Sequence, residues 1–309
     1  MEKKRLLITG VSGLLGTNLA YCLRDTYEIM GLYHSQKVLV RGIKTEPVDL
    51  RRDIDLESVL GAWRPDVVIH AAAKADVDTC EENPREAEEL NILATANLVA
   101  SLRNVPAKFI YISTDLVYAG DQGHFSEEYP VGPRNVYART KLEGEREAQK
   151  RGGTLILRTN FFGWGIVGKR SLAEWVIEEL SAGRSINGFT DAVFSSIYAF
   201  DMANLVDRMI RKGLTGIYNM GSRTSMSKYQ FLVRVAEALG LNAGLIRAAS
   251  LDSMPLRAQR SKNLSLDMGK LEEAIGRKVP SMEESIEHFV QDYRRGCRED
   301  MRRCITKAS

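Results

Sequence analysis

Tyr137-Ala138-Arg139-Thr140-Lys141 sets a phenol and an ammonium four residues apart, the spacing that puts two side chains on one face of a helix. A lysine held near a tyrosine favours the phenolate, and so draws a pKa that starts near ~10 toward the range of a useful general acid. A second piece of chemistry lies upstream. Lys108 to Ile112 reads as a strand ending in Ser113-Thr114-Asp115, and hydroxyls at the carboxyl end of a parallel strand point into the crevice where ligands bind. The stretch between holds Gly120, Gly123, Pro130, Gly132 and Pro133, turn formers that let the chain fold back and bring the Thr114 hydroxyl beside the phenol. Asn135 or Arg134 would then open the helix that carries Tyr137 and Lys141. A Tyr-x-x-x-Lys pair also occurs by chance on solvated helices, so its meaning rests on the elements that position it.

Those elements begin at the start of the chain. Leu6 to Thr9 is a short apolar run, followed by Gly10-Val11-Ser12-Gly13-Leu14-Leu15-Gly16 and a helical pattern from Thr17 to Arg24. Gly10 and Gly13 permit a tight turn and close approach of a pyrophosphate to backbone N–H groups at a helix N-terminus, while Gly16 lets that helix pack on the sheet. The turn's expected cofactor contacts are Gly10, Ser12, Gly13, Leu14, Leu15 and Gly16. A second strand is expected over Tyr27 to Tyr33, and an NAD-preferring site would place Asp or Glu just beyond it. The chain instead reads His34-Ser35-Gln36-Lys37, with Arg41 further on. Hydroxyl and cationic groups there suit a 2′-phosphate, which favours NADPH, with NADH as the alternative and a solvated loop as the bland reading. Glu46 to Asp49 reads as a third strand, and Asp49 and Leu50 join the cofactor set. Ile54 to Ala62 reads as a helix, and Asp66 to His70 as a strand ending in Ala71-Ala72-Ala73, small residues that let a flat cofactor lie against backbone.

The acidic run Glu81 to Glu89, with Pro84 inside it, reads as a solvated helix start ahead of the apolar-periodic Leu90 to Leu102. Thr154 to Leu157 is the next expected strand. Helices follow over Ser171 to Ser181 and Asp201 to Lys212, with a last short strand over Gly216 to Met220. Ser227 caps a helix that Gly240 stops. A closing helix runs from Ser281 to about Arg298, and the basic tail Met301 to Ser309 is expected to fray. The fold class this implies is α/β, a Rossmann-type doubly wound parallel sheet with a smaller C-terminal substrate lobe. The dinucleotide-binding part takes 1–160 and about 190–222, and the lobe takes 161–189 and 223–309.

Composition narrows the partners. At 309 residues, 44% hydrophobic and 27% charged, the chain can bury a sizeable core. Its +3 net charge, from 43 basic and 40 acidic residues, is too balanced to argue for nucleic acid or an anionic membrane surface. The apolar runs fall far short of the ~20 residues a membrane helix needs, and no signal peptide is read at Glu2-Lys3-Lys4-Arg5. Cys22, Cys80, Cys297 and Cys304 are scattered and only four histidines join them, so neither a zinc site nor a disulfide framework is suggested, and a reducing cytoplasm is the expected location.

With these residues in view the chain resembles the extended short-chain dehydrogenase/reductase family, in the branch of the dTDP-4-dehydrorhamnose reductases and their relatives. The resemblance covers nearly the whole chain. It rests on Thr9-Gly-x-x-Gly13-x-x-Gly16, on Arg64-Pro-Asp-Val-Val-Ile-His-Ala-Ala-Ala73 with Val77, Asp78 and Glu81 after it, and on Ser113-Thr-Asp-Leu-Val-Tyr-Ala-Gly120. It continues through Asn135-Val-Tyr-Ala-Arg-Thr-Lys-Leu-Glu-Gly144, Leu157-Arg-Thr-Asn160, Gly216-Ile-Tyr-Asn219, Arg260 and Asn263-Leu-Ser-Leu-Asp267.

The resemblance implies a reductase in which Tyr137 protonates a carbonyl oxygen as hydride arrives from a nicotinamide. Lys141 would lower its pKa and hold the nicotinamide ribose, Thr114 would orient the substrate oxygen, and Ser113, Tyr137 and Lys141 would also touch the cofactor. The implied substrate is a nucleotide-linked 4-keto-6-deoxy sugar, met by Asp115, Asn160, Phe161 and Arg260, with Mg2+ and a homodimer left open. The chain departs from the family where Phe161-Phe162-Gly163-Trp164 replaces a Trp-Val-Tyr-like run and where Asp191-Ala-Val-Phe-Ser-Ser196 replaces an Asp-Gln-x-Gly-x-Pro-Thr-like loop. Phe161 stacks on a sugar or base or sits in the core, and Arg260 meets a diphosphate or solvent. Rival readings are an epimerase or dehydratase that retains NAD, and a non-catalytic subunit like the regulatory one of methionine adenosyltransferase.

Overall fold

The computed structural model describes residues 2–165, 168, 170–253 and 257–307. Arg5–Thr9 (β1) is buried from Leu6 onward, as a parallel strand covered on both faces must be. The glycine turn leads into Leu14–Leu23 (α1). Gly10 stands at φ +70°, and a β-carbon on it would come within 2.7 Å of the Ala72 backbone. One on Gly16 would meet the Gly10 carbonyl oxygen at 2.2 Å. Turn, helix and neighbouring strand end share one space because both residues lack side chains.

Glu28–Tyr33 (β2), Val38–Val40 (β3), Lys44–Pro47 (β4), Asp53–Trp63 (α2) and Val67–His70 (β5) follow. β3 was not foreseen, and the third parallel strand begins before the expected Glu46; its residues are mostly exposed, so this edge strand carries no apolar alternation to read. Next come Val77–Glu82 (α3), Pro84–Glu88 (α4) with Asn83 as its cap, a π turn over Glu89–Leu93, and Ala94–Ser101 (α5). Lys108–Thr114 (β6), Val136–Gln149 (α6) and Leu155–Thr159 (β7) complete the site's scaffold. β6 and β7 each run two residues past their expected ends, since Ser113 and Thr114 pair with Arg158 and Thr159.

The remainder comprises Phe161–Phe162 (β8), Leu172–Ser181 (α7), Ile186–Phe189 (β9), Val193–Phe194 (β10), Ile197–Tyr198 (β11), Ala199–Arg211 (α8) and Gly216–Met220 (β12). Then come Met226–Ser227 (β13), Lys228–Leu239 (α9), Ile246–Ala249 (β14), Asn263–Leu264 (β15), Gly269–Ile275 (α10), Met282–Arg294 (α11), Cys297–Cys304 (α12) and Ile305–Lys307 (β16). The main sheet is seven-stranded, in the order β12-β7-β6-β5-β1-β2-β4, and every pair in it is parallel. Strand order reverses between β1 and β5, so the ligand crevice of this Rossmann-type, doubly wound fold opens beyond their carboxyl ends.

Smaller pairings lie outside the main sheet. β9 pairs with β14, and β10 lies between β13 and β15, so Val193–Phe194 belong to a small sheet of their own. The aromatic part of the core includes Trp164, stacked on Phe289 with ring centres 4.0 Å apart. The Asn18 amide of α1 donates to the Trp164 carbonyl at 2.8 Å and the Trp164 N–H donates back at 3.2 Å, which bolts this core to the helix behind the glycine turn.

The closing helix and tail differ from expectation. Gly296, at φ +76°, ends α11 and starts α12. Met301 and Ile305 are buried, and β16 pairs antiparallel with β3 so that Ile305 lies opposite Val40. Two apolar residues four apart among arginines anchor a segment whose composition reads as frayed; residues 308 and 309 lie outside the described ones. Among the described residues no helix is long and apolar enough to cross a membrane.

Candidate active site

A cleft of about 330 Å³ opens at the switch point, lined among others by Gly10, Ser12, Gly13, His34, Ser35, Asp49, Leu50 and Ala71 to Ala73. Gly13 caps α1 without a side-chain hydrogen bond, and no acidic residue stands in the first turn. The orphan amides of that turn, from Leu14, Leu15 and Gly16, are therefore open to an anion, whose charge the helix dipole favours. Leu15 itself is buried in the core. These features fit a dinucleotide pyrophosphate by a physical test: a β-carbon at Gly10 would run into the Ala72 backbone and one at Gly16 into the Gly10 carbonyl oxygen, so the turn keeps its shape only with glycine at both positions.

The strand ends behind the cleft are held by His70. Thr95 donates its hydroxyl to the Asn91 carbonyl at 2.8 Å, so it accepts from His70 Nε2 at 3.0 Å. That leaves Nδ1 to accept from the Thr9 hydroxyl at 2.7 Å, while Thr9 accepts the Ala72 N–H at 3.2 Å. The ring is fixed as the neutral Nε2-protonated form, and its pKa falls to about 3 because burial, and then Lys141, oppose a charge. On the ribose side, Asp49 accepts from both Nε and Nη2 of Arg51 at 2.9 and 2.7 Å. These bonds outweigh its partial burial and hold the carboxyl at about 2. His34, Ser35 and Gln36 line the cleft, but Lys37 and Arg41 do not. Arg51 is committed to Asp49 and, at 3.6 Å, to Glu89.

The catalytic candidates come from β6 and α6. Asn135 caps α6 by accepting the Ala138 N–H at 2.8 Å, and Glu81 of α3 accepts the Val136 N–H at 2.7 Å. Part of the acidic run thus builds the site rather than only a solvated face, and Glu86 pairs with Lys74 at 2.9 Å on the wall of the cleft. Gly144 lets α6 approach closely, since a β-carbon there would meet the Tyr111 hydroxyl at 2.1 Å and the Asn91 carbonyl oxygen at 2.6 Å. The π turn presents Asn91, whose amide donates to the Thr140 hydroxyl at 2.9 Å.

Thr114, Asp115 and Tyr137 meet at the end of β6. Thr114 accepts the Leu116 N–H and donates to Asp115 Oδ1, both at 3.2 Å, and its hydroxyl neighbours the Tyr137 phenol. Burial pushes the phenol's pKa up, and the Thr114 hydroxyl partly offsets this. Lys141 has its contacts on β6. Its ammonium is buried, donates to the Ile112 carbonyl at 2.7 Å and stands 4.1 Å over the Tyr111 ring. Burial lowers its pKa to about 7, against the pull of Glu145. Ser113 also differs from expectation: its hydroxyl donates to Glu145 at 2.5 Å, behind the sheet end, leaving only its backbone for a cofactor.

On the lobe side, Asn160 donates to Asp115 Oδ2 at 3.1 Å. Phe161 is half-buried and packs against the main core. Arg260 Nη2 donates to Asp78 at 2.8 Å, and Nη1 is buried without a partner among the described residues. Sequence reasoning missed Lys228, at the first position of α9, whose charge acts on Asp115 and is opposed by burial and by Arg260. It also missed the Glu145–Arg158 pair, because partners in three dimensions leave no local spacing to read. Among the described residues no cluster of three His, Cys, Asp or Glu side chains could hold a metal ion.

Residues 4–295 match the family described as the RmlD substrate binding domain. A probable low-salt glycan biosynthesis reductase of Haloferax volcanii is 29% identical, over 90% of this chain and 95% of that protein. The methionine adenosyltransferase 2 subunit beta of Rattus norvegicus is also 29% identical, over 95% and 90%. The dTDP-4-dehydrorhamnose reductase of Bacillus anthracis, solved with NADP, superposes with a TM-score of 0.83 at 24% identity, covering 94% of this chain and 99% of that one. With a match that runs nearly from end to end, the chain belongs to the RmlD substrate binding domain family.

Proposed function

We propose that the protein is an NADPH-preferring reductase of the C4 keto group of a nucleotide-linked 4-keto-6-deoxy sugar. The observation that carries this reading is the meeting of Thr114, Asp115 and Tyr137 at a strand end beside the glycine-lined cleft. A reduced nicotinamide, when bound, supplies the two electrons and the hydrogen that add to the carbonyl carbon. The chain's own residues do the rest. Tyr137, kept protonated by burial, gives its proton to the oxygen that becomes an alkoxide, and Thr114 beside it orients that oxygen. Lys141, anchored on Ile112, places a cation under the same floor. Backbone at Gly10 to Gly16 holds the pyrophosphate, and Ser35 with His34 receives the 2′-phosphate. Asn160, Phe161, Lys228 and Arg260 meet the nucleotide-sugar from the other side.

Purified protein given a dTDP-4-keto-6-deoxy sugar should oxidise NADPH, and Tyr137→Phe should lose about 10²–10⁴-fold in kcat, the usual worth of a positioned general acid. Undiminished turnover in that variant would remove Tyr137 from its role. A second reading, a regulatory subunit of a separate enzyme, is favoured by the similarity to the methionine adenosyltransferase subunit. A stoichiometric enzyme partner in a pull-down, together with no NADPH oxidation on any nucleotide-sugar tried, would select it.

A further inference from the structure

We propose that the C-terminal segment, α12 with β16, is a positioning element for the cofactor: by pairing with β3 it holds the loop from His34 to Gln36 in place, and so sets the affinity for NADPH and its margin over NADH. This rests on the reading in which that loop receives the 2′-phosphate.

The loop lies between two strands that are held in different ways. β2 ends at Tyr33, His34, Ser35 and Gln36 line the cleft, and β3 begins at Val38. The first end is fixed by the main sheet, where β2 pairs with β1 and β4. The second end is not, because β3 stands outside that sheet, and among the described residues β16 is the one strand that pairs with it. A strand of three residues has no order of its own. Without a partner its N–H and C=O groups turn to water, and the end of the loop is free to move with them.

The tail supplies that partner. The Arg41 N–H donates to the Cys304 carbonyl at 2.7 Å, and Ile305 lies opposite Val40. Bonded pairs alternate in an antiparallel ladder, so Thr306 and Leu39, opposite each other, form the next one. Val38, Val40, Met301 and Ile305 are buried in the same core cluster as Leu19 and Leu23 of α1, the helix behind the glycine turn. α12 is tied at its own start: Arg298 Nη2 donates to Glu178 of α7 at 3.0 Å, and its Nε stands 3.3 Å from the Glu174 carboxylate. The strap thus runs from α7 to β3, two residues short of the cleft wall. It also lies beyond residues 4–295, which are those that match the family.

A ligand that needs an ordered loop binds with an apparent Kd raised by the inverse of the fraction of time the loop is ordered. NADPH needs the loop for its 2′-phosphate, and NADH carries no such group. Thr306→Pro in the full chain tests this, because it removes the N–H of a bonded pair and changes no residue that lines the cleft. The NADPH Kd, read by nicotinamide fluorescence, should rise about tenfold, as for a loop ordered one-tenth of the time, with the NADH Kd held within about twofold. Ile305→Asp, which puts a carboxylate into a buried place, should act alike, and Ile305→Val should bind as wild type does. An NADPH Kd that neither disruptive variant moves, or an equal loss for both cofactors, overturns the proposal.

A second readout needs no cofactor. Backbone amides of residues 34–40 should exchange hydrogen at least about tenfold faster in Thr306→Pro, with those of β1 and α1 unchanged. Exchange at 34–40 that stays at the wild-type rate, or that rises equally along the whole chain, overturns the strap. Wild-type protein that binds NADPH no tighter than NADH would fail the 2′-phosphate reading, and exchange at 34–40 would still decide whether the tail holds the loop.

Discussion

Glu145 lies one helical turn beyond Lys141 and is the acceptor for Arg158 of β7. Nε and Nη2 of Arg158 donate to its two oxygens at 3.0 and 2.8 Å, and Nη1 donates to the Tyr118 hydroxyl at 3.0 Å. The side chains are 2% and 5% exposed. Glu145→Ala would remove two of the three bonds that Arg158 makes, together with the acceptor of the Ser113 hydroxyl. A guanidinium would be left in the core with one phenol as its partner. Breaking a buried pair in this way costs about 3–5 kcal/mol; at roughly 2–4 °C per kcal/mol for a large domain, the melting temperature should drop by roughly 6–20 °C. The double variant Glu145→Leu with Arg158→Met should recover most of that loss, since a well-packed apolar pair often equals a buried ion pair. Calorimetric melts of wild type, single and double variants decide it. A single variant within about 2 °C of wild type, or a double variant no better than the single, would refute the claim that the uncompensated charge is what destabilises.

Two further outcomes follow from the site. Lys141 has a folded pKa of about 7 against an ordinary 10.5, so between those pH values the unfolded chain binds the extra proton. Stability from this group therefore rises as pH goes from 7 to 10 and is flat below 7. Lys141→Met should remove that slope and raise the melting temperature at pH 7 while abolishing turnover; melts that keep the wild-type slope would count against the assignment. Gly10→Ala adds a β-carbon at φ +70° and 2.7 Å from Ala72 backbone, with a conformational cost alone of about 1–2 kcal/mol. NADPH binding, followed by nicotinamide fluorescence, should weaken roughly 5–30-fold for that loss, and unaltered affinity would dissociate the turn from the cofactor.

What was legible in the sequence is what depends on near neighbours. The glycine turn could be read because strand, turn and helix are contiguous. The helix from Ser227 could be read because its capping box closes within three residues, with Ser227 accepting the Gln230 N–H and Gln230 accepting the Ser227 N–H, and Gly240 stops it at φ +70°. What was not legible depends on partners far along the chain. β3 has three residues and no pattern until β16, more than 260 positions later, lies against it. Asn91 carries no local signal, yet it ties the Lys74 backbone to α6 through Thr140. Lys228 reads as an ordinary first-turn lysine because Asp115 and Arg260 reach it only through the fold.

The Tyr137 and Lys141 spacing shows the same limit in the chemistry itself. A general acid at a carbonyl has two requirements: it must hold its proton beforehand, and its anion must be tolerated afterward. Burial meets the first, by raising the phenol's pKa. The spacing assigned the second to Lys141, but that ammonium is fixed to β6 through Ile112 and balanced by Glu145. Among the described residues, Thr114 is the one whose contact favours the phenolate, while Asp115 opposes it as a charge. Neutralising Asp115 removes that opposition. The strength of the acid is therefore governed from the strand side of the site, by the residue pair that follows Ser113, and the helix supplies the phenol's position.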